Sequence, residues 1–107
     1  MHSLFVYGTL GPGRPNAHIM ENIGGSWQQG YVIGNLREAG WGAAMGFPGI
    51  ELTAEGAQVN GFVFSSENLP ANWSMLDEFE GEGYQRVPVE VMLQDGSTLM
   101  SEIYALK

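Results

Sequence analysis

The fold of this chain is decided by residues 69–106, which read LPANWSMLDEFEGEGYQRVPVEVMLQDGSTLMSEIYAL. Leu69 to Glu80 has apolar residues at helical spacing and is followed by a glycine, so it predicts a short helix. Tyr84 to Leu93 then alternates, Gln94 to Ser97 has the composition of a tight turn, and Thr98 to Leu106 alternates again. This pattern indicates a β-hairpin. The C-terminal third is therefore predicted to be a helix followed by a hairpin.

Glu80 lies on the apolar side of the predicted helix. At about 100° per residue, Trp73, Leu76 and Glu80 share one narrow stripe, whereas Glu78 falls roughly 160° away. One carboxylate is therefore expected to point inward and the other to point to water. Gly81 stops the helix, and the negative end of the helix dipole disfavours an ionised carboxylate at that terminus. Because burial and this dipole both raise the pKa of a carboxyl group, Glu80 is the candidate proton-transfer residue.

The N-terminal part contains a second candidate site. His2 to Tyr7 predicts a buried strand that is apolar on both faces. The turn that follows is formed by Tyr7, Gly8, Thr9 and Leu10. Its backbone N–H groups are candidates for binding an anion or a polarised carbonyl. A plain strand-ending turn is the competing interpretation, because the segment lacks the lysine and the spacing of a nucleotide phosphate loop.

The remaining segments predict two further strands, a helix and an apolar loop. Strands are predicted for Ser26 to Leu36, with interruptions at Gly30 and Gly34, and for Val59 to Phe64. A short helix is predicted for Asn16 to Asn22. Gly40 to Gly49 has the composition of a loop, but it is too apolar to be fully exposed to solvent and is expected to cover part of the protein. With no repeat and no linker, residues 1–107 are predicted to form a single α+β domain whose sheet curls into a barrel.

Composition restricts the kinds of partner. The 107 residues include twelve acidic and four basic side chains, so the formal net charge is −8 at pH 7. This charge disfavours nucleic acid and anionic membranes, so neither is an expected partner. The absence of cysteine excludes disulfides and a cysteine nucleophile. Residues 1–10 lack the pattern of a signal peptide and no apolar run reaches membrane-spanning length, so we expect a cytoplasmic protein.

Other polar residues are weaker candidates for chemistry. Four acids cluster between Asp77 and Glu82, and such a cluster is most often a solvated helix end. Its spacing matches no calcium loop and no histidine is placed to complete a zinc or iron site, so we expect no metal. His2 and His18 show no pattern of a catalytic triad and are assigned surface or structural roles. Arg86 is expected to pair with a nearby acid, with binding of a substrate carboxylate as the alternative.

Two motifs occur in order along the chain. The first is Phe5-Val6-Tyr7-Gly8-Thr9-Leu10, with Gly13 and Pro15-Asn16 after it. The second is Leu76-Asp77-Glu78-Phe79-Glu80-Gly81, followed by Tyr84-Gln85-Arg86. Together they resemble the γ-glutamylcyclotransferase-like family, whose middle loop and closing strand are similar to Gly46-Phe47-Pro48-Gly49 and Ile103-Tyr104. The resemblance is closest to the γ-glutamylaminecyclotransferase branch and spans most of the chain apart from residues 20–45.

That resemblance implies a fold, a reaction and a set of site residues. The fold is a small mixed β-barrel flanked by short helices, in which the loop from Tyr7 to Leu10 holds the γ-glutamyl group. Glu80 is the general acid/base, and Tyr84 and Tyr104 contribute hydroxyl groups to the pocket. The α-amine of a γ-glutamyl amine attacks its own γ-carbonyl, which gives 5-oxoproline and a free amine. No external nucleophile, metal or cofactor is required, which agrees with a chain that has no cysteine.

The sequence leaves two other functions open. A non-catalytic binding module would hold a γ-glutamyl or other small acidic ligand in the same loop without turnover, although the presence of Glu80 favours the enzyme. An interaction domain would use the apolar loop Gly40 to Gly49 as a partner surface. The leaving amine is equally undecided between a lysine ε-amine, a polyamine, an antibiotic intermediate and an α-amino acid. No feature of the sequence decides the oligomeric state.

Overall fold

The computed structural model describes residues 2–8, 10–14, 16–38 and 48–106. Within these ranges the strands are β1 (Ser3–Val6), β2 (Ser26–Glu38), β3 (Pro48–Leu52), β4 (Ala57–Ser65), β5 (Tyr84–Leu93) and β6 (Thr98–Leu106). The helices are α1 (Ala17–Ile23) and α2 (Trp73–Glu80). Neither of these two helices has the length and apolar character needed to cross a lipid bilayer.

Five of the strands form a closed barrel. Around the barrel the order is β2, β4, β1, β6 and β5, and β5 returns to β2 through the pairs Gly30 with Leu93 and Tyr31 with Met92. The pairing of β1 with β6 is parallel and the other pairings are antiparallel, so the barrel is mixed. β3 pairs with residues 34–38 of β2, outside the ring. The predicted α+β fold, a small mixed barrel with short helices, is confirmed.

The barrel wall separates two apolar clusters. One cluster contains Phe5, Val63 and Ile103 and draws its buried residues only from strands, so it fills the barrel. The other contains Leu4 and Val6 together with buried residues of both helices, so it lies between the helices and the outer face of the sheet. Because successive side chains of a strand point to opposite sides, β1 is buried on both faces, as predicted. The helices contribute Met20, Ile23 and Leu76 to the outer cluster.

Glycine provides space where strands approach closely. Gly30 of β2 and Gly61 of β4 face each other in the sheet. A Cβ atom on Gly61 would lie 2.6 Å from the ring of Phe5, and one on Gly30 would lie 2.8 Å from the carbonyl oxygen of Met92. Neither distance is compatible with a side chain unless neighbouring atoms move. β2 nevertheless runs unbroken through Gly30 and Gly34, so the interruptions predicted there are wrong: these glycines mark close approaches of strands.

The second helix begins later than predicted. α2 starts at Trp73, whereas the apolar spacing predicted a start at Leu69. Pro70 disfavours helical geometry at the residue before it, and the chain forms turns instead. The N–H of Leu69 donates to the carbonyl of Ser66 at 3.4 Å, and the N–H of Asn72 donates to the carbonyl of Leu69 at 2.8 Å. Leu69 is fully buried, so it contributes to the outer cluster from a turn and not from the helix.

One strand was missed from the sequence. The predicted loop Gly40 to Gly49 overlaps β3, because Pro48 and Gly49 belong to that strand, while residues 40–47 lie outside the described residues. A five-residue strand that starts with proline and glycine has no alternating pattern long enough to recognise. The other predicted elements are present, with ends that differ by one or two residues.

Candidate functional site

The acidic residues near the end of α2 lie on different sides of the helix. Gly81 adopts a φ of 86° and its N–H donates to the carbonyl of Asp77 at 3.1 Å, which ends the helix. Leu76 is fully buried, Glu80 is half-buried and Glu78 is exposed. The predicted stripe is therefore present, with Glu80 on the packed side of the helix and Glu78 on the solvent side.

Burial changes the acidity of Glu80. Desolvation of its carboxylate raises the pKa from 4.5 to about 7. The sequence predicted this direction from burial and from the helix dipole, and in the structure burial is the cause. A carboxyl group with a pKa near neutrality accepts a proton and returns it with little free-energy penalty at neutral pH. Glu80 therefore has the acidity that a shared acid and base requires.

Three tyrosines lie within electrostatic reach of Glu80. Burial raises the pKa of Tyr7, Tyr84 and Tyr104, and the negative charge of Glu80 raises the pKa of each one further. Tyr7 follows the last residue of β1, Tyr84 is the first residue of β5, and Tyr104 lies near the end of β6. Glu80 at the end of α2 therefore lies close enough to Tyr7, which starts the turn that follows β1, for its charge to act on that residue, although the two are far apart in the chain.

The hydroxyl group of Tyr7 links strands around the site. It donates to the carbonyl oxygen of Tyr104 at 2.6 Å and accepts the N–H of Ile50 at 3.1 Å. The side chain thus ties the end of β1 to β6 and to β3. Ile50 was missed as a partner because no local pattern in a sequence relates a tyrosine to a residue so far along the chain.

The turn after Tyr7 is held by its own backbone. The carbonyl of Gly8 accepts the N–H of Gly11 at 3.1 Å, and the carbonyl of Gly11 accepts the N–H of Arg14 at 3.1 Å. Leu10 is buried in the outer cluster, while Thr9 lies outside the described residues. Binding of a γ-glutamyl group by Tyr7, Gly8, Thr9 and Leu10 stays a prediction.

A polar cluster that we call the Asp77 clamp supports the other side of the site. It consists of Asp77, Tyr104, Arg86 and Trp73. The hydroxyl of Tyr104 donates to Asp77 Oδ1 at 2.6 Å, and Arg86 Nε donates to the same oxygen at 3.1 Å. The guanidinium group of Arg86 lies 4.3 Å from the centre of the Trp73 ring. The predicted pairing of Arg86 with an acid is confirmed, and its partner is Asp77.

In the Asp77 clamp, the hydroxyl group of Tyr104, which was predicted to contribute to the pocket, is hydrogen-bonded to Asp77. Desolvation alone would raise the pKa of Asp77, but the bonds from Tyr104 and Arg86 outweigh it and lower that pKa. Because Tyr104 donates to this carboxylate, it would meet a substrate only by accepting a hydrogen bond. Asp77 was not identified from the sequence as its partner, although its position one turn before Glu80 placed it on a neighbouring face of the helix.

We expect the Asp77 clamp to contribute measurably to stability. Arg86→Gln removes an ion pair and a cation–π contact that are partly shielded from water, so it should lower the free energy of unfolding by about 1 kcal/mol. Urea denaturation measures this change. The matched control is Arg37→Gln, which removes the exposed pair with Glu51 and no aromatic contact. Equal losses in the two variants would show that the stacking on Trp73 adds nothing.

Neither the histidines nor the acidic cluster forms a metal-binding group within the part of the chain that the structure describes. His2 and His18 are exposed, which agrees with the surface roles predicted for them. Across residues 2–8, 10–14, 16–38 and 48–106, no three His, Asp or Glu side chains come together as a metal site would require. Chemistry without a metal stays a prediction.

Comparison with known proteins gives one family. Residues 4–107 match the family described as gamma-glutamyl cyclotransferase, AIG2-like. An AIG2-like protein from Mus musculus is 26% identical with a TM-score of 0.76, over 98% of this chain and 76% of its own. YkqA from Bacillus subtilis is 27% identical with a TM-score of 0.75, over 99% of this chain and 36% of its own. A solved γ-glutamyl cyclotransferase is 19% identical with a TM-score of 0.67, over 99% of this chain and 66% of its own, which shows a shared fold. No curated protein matches the chain.

Proposed function

The protein belongs to the AIG2-like γ-glutamyl cyclotransferase family, and from this membership we propose that it converts a γ-glutamyl amine into 5-oxoproline and a free amine. Membership supports cyclotransferase activity in general. The particular substrate class and the role of Glu80 are the proposal, together with a cytoplasmic location and independence from cofactors.

In the proposed reaction the α-amine of the substrate is the nucleophile. Its nitrogen forms a bond to the γ-carbonyl carbon, and the bond from that carbon to the leaving nitrogen breaks. One proton passes from the attacking nitrogen to the leaving nitrogen, so atoms balance without water or any other reactant. A site that holds the substrate bent raises the effective concentration of the amine at the carbonyl and lowers the barrier by several kcal/mol.

Glu80 moves that proton. Its carboxylate accepts the proton as the α-amine attacks, and the resulting carboxylic acid donates the proton to the departing amine. A pKa near 7 serves both steps, because neither protonation state is strongly favoured at neutral pH. Backbone N–H groups of Gly8, Thr9 and Leu10 stabilise the developing oxyanion and the α-carboxylate of the substrate. Tyr84 and Tyr104 are proposed to contribute hydroxyl groups to this pocket, since the charge of Glu80 acts on both.

One observation supports this proposal more than any other. Glu80 is half-buried, and its charge acts on Tyr7, at the start of the turn that is proposed to bind the γ-glutamyl group. A surface acid of a solvated helix end would have neither the burial nor this neighbour. The non-catalytic alternative gives no reason for a carboxyl group of raised pKa at that position.

A product assay tests the proposal. The purified protein is incubated with a panel of γ-glutamyl amines, and 5-oxoproline is measured by chromatography beside ligand binding by calorimetry. Release of 5-oxoproline with an equal amount of amine supports the enzyme. Binding without product supports a non-catalytic module, and neither binding nor product across the panel removes both. The interaction-surface interpretation depends on Gly40 to Gly49, of which residues 40–47 lie outside the described residues.

The rate should depend on pH through Glu80. Glu80 must be ionised to accept a proton. The kcat should therefore rise with pH, with its midpoint at the raised pKa of Glu80, about 7, and should level off at higher pH. The substrate's own α-amine also ionises, so the profile is compared with that of Glu80→Gln, in which only the substrate's ionisation remains. A wild-type midpoint between pH 4 and 5 would show that the carboxyl group has its ordinary acidity and is not buried in solution.

A further inference from the structure

The orientation of α2 depends on what the helix packs against. It has only eight residues, and a helix of two turns is marginal in water without tertiary contacts. Its apolar side packs on the outer cluster through the fully buried Leu76 and the partly buried Trp73 and Phe79. Apolar contact is not directional, so it fixes the rotation of the helix about its own axis less sharply than hydrogen bonds do.

The rotation of α2 decides where the carboxylate of Glu80 lies. Side chains reach about 5–6 Å from the axis of a helix, so a rotation of about 20° moves their ends by about 2 Å. Proton transfer requires the carboxylate within hydrogen-bond distance of the reacting nitrogen, and a misplacement of about 1 Å can cost about a hundredfold in rate. The role proposed for Glu80 therefore requires a directional contact near the end of α2.

The Asp77 clamp supplies such a contact one turn before Glu80. Its two donors, Arg86 of β5 and Tyr104 of β6, lie opposite one another in the register of these strands. Both bond to Asp77 Oδ1, which is 3.1 Å from Arg86 Nε and 2.6 Å from the hydroxyl of Tyr104. Hydrogen bonds from two strands to one oxygen fix the position of that oxygen, and with it the rotation of the last turn of α2.

Tyr104 also connects the clamp to the turn after β1. Its hydroxyl group donates to Asp77, and its main-chain carbonyl accepts the hydroxyl of Tyr7 at 2.6 Å. One residue of β6 therefore contacts both the helix that carries Glu80 and the residue that starts the turn proposed to bind the γ-glutamyl group. The spacing between the two halves of the proposed site is set through this residue.

We infer that Asp77 is a positioning residue: through Tyr104 and Arg86 it fixes the last turn of α2, and so the carboxylate at its end, relative to the turn after β1. This inference rests on the proposed function, because it gives Asp77 a task in the same reaction. A contribution of the clamp to stability alone would, by contrast, leave the acidity of Glu80 unchanged in the folded protein.

The surroundings of Glu80 determine how this task can be measured. The titratable groups on which its charge acts are tyrosines of three strands, Tyr7 beside β1, Tyr84 of β5 and Tyr104 of β6. Their raised pKa values keep them neutral in the range where Glu80 titrates. The charged residues of the clamp are Asp77 and Arg86, and Glu78 of the same helix is exposed. When Asp77 is replaced, the pKa of Glu80 can therefore change through lost burial or through the lost charge of Asp77 itself.

Two substitutions of Asp77 separate position from charge. Asp77→Ala removes the charge and both hydrogen bonds, whereas Asp77→Asn removes the charge and keeps an oxygen that accepts from Tyr104 and Arg86. Carbon-13 NMR titration gives the pKa of Glu80 in each folded variant, and Glu80→Gln identifies the signal. We expect Asp77→Ala to lower this pKa by about one unit or more, towards 4.5, and Asp77→Asn to lower it by at most about half as much.

Turnover gives a second readout of position. In Asp77→Ala, kcat for release of 5-oxoproline should fall by about tenfold or more and KM should change much less, and Asp77→Asn should recover most of the lost kcat. The control is Val32→Ala, which truncates a fully buried side chain in the cluster inside the barrel. It should lower stability and leave the pKa of Glu80 unchanged.

The outcomes separate this inference from the proposed function. Equal pKa shifts in the two Asp77 variants would show an effect of charge alone and overturn the inference, as would no shift in Asp77→Ala or an equal shift in Val32→Ala. If Asp77→Ala does not fold, Tyr104→Phe removes only the hydroxyl that bonds to Asp77, and the pKa of Glu80 should fall there too; an unchanged value would overturn the inference. Absence of 5-oxoproline with the wild type would contradict the proposed function, while the NMR titrations would still decide whether Asp77 positions Glu80.

Discussion

Replacing Glu80 with glutamine is expected to lower kcat by about two to four orders of magnitude, the range that general acid–base catalysis supplies. The amide keeps the shape of the side chain but cannot accept the proton of the attacking amine. Because binding of the γ-glutamyl group is proposed to depend on the turn after β1, KM should change much less than kcat. Steady-state measurement of 5-oxoproline release over a range of substrate concentrations gives both quantities.

Two measurements test whether a loss of activity in Glu80→Gln has a cause other than the loss of the proton-transfer group. Glu78→Gln makes the same chemical change at an exposed position of the same helix and should leave kcat within about twofold of the wild type.

The stability of the Glu80→Gln variant gives the second check. Because the folded pKa of Glu80 lies above 4.5, the folded state holds more protons than the unfolded state between pH 4.5 and about 7, and stability falls as pH rises through that window. At pH 8, Glu80→Gln should be at least as stable as the wild type. A destabilised variant, or one that retains full activity, would contradict the role assigned to Glu80.

The largest effect on stability is expected from Leu76→Ala. Leu76 is fully buried between α2 and the barrel, and its truncation leaves a cavity that the surrounding strands cannot fill by moving. The free energy of unfolding should fall by about 2–5 kcal/mol, measured by urea denaturation with circular dichroism. Because Leu76 fixes the helix that carries Glu80, kcat should also fall in the part of the population that remains folded.

The matched control lies one residue away. Met75 has 40% of its surface exposed on the same helix, so Met75→Ala should change the free energy of unfolding by less than about 0.5 kcal/mol. A small loss for Leu76→Ala would mean that α2 packs loosely on the barrel. In that case the burial that raises the pKa of Glu80 would lose its structural basis.

Local patterns were sufficient for much of this fold. The turn from Gln94 to Ser97 is confirmed, because Gly96 adopts a φ of 88° and the N–H of Leu93 donates to the carbonyl of Ser97 at 2.8 Å. The strands on either side follow from alternation, and the inward position of Glu80 follows from helical periodicity. These features depend on residues within a few positions of one another, which is the range over which a sequence pattern carries information.

Contacts between distant segments were not predictable in the same way. Tyr104 was identified as a candidate hydroxyl, but its bond to Asp77 depends on how α2 lies across β6. The link from Tyr7 to Ile50 depends on β3, a strand too short to recognise. A groove lined by Arg14, Tyr31 and Gln94 is assembled from the turn after β1 and from parts of β2, β4 and β5. Each of these features exists only after the barrel has closed.

The parallel pairing of β1 with β6 has a consequence for synthesis of the protein on the ribosome. Leu4 pairs with Glu102 and Phe5 pairs with Ile103, so the first and last of the six strands in the described residues are adjacent, and β6 lies between β1 and β5. A nascent chain that stops before Thr98 lacks this strand and leaves the edges of β1 and β5 unpaired. The barrel therefore cannot close before the segment up to Leu106 has left the exit tunnel, and until then those unpaired edges are open to association with other chains.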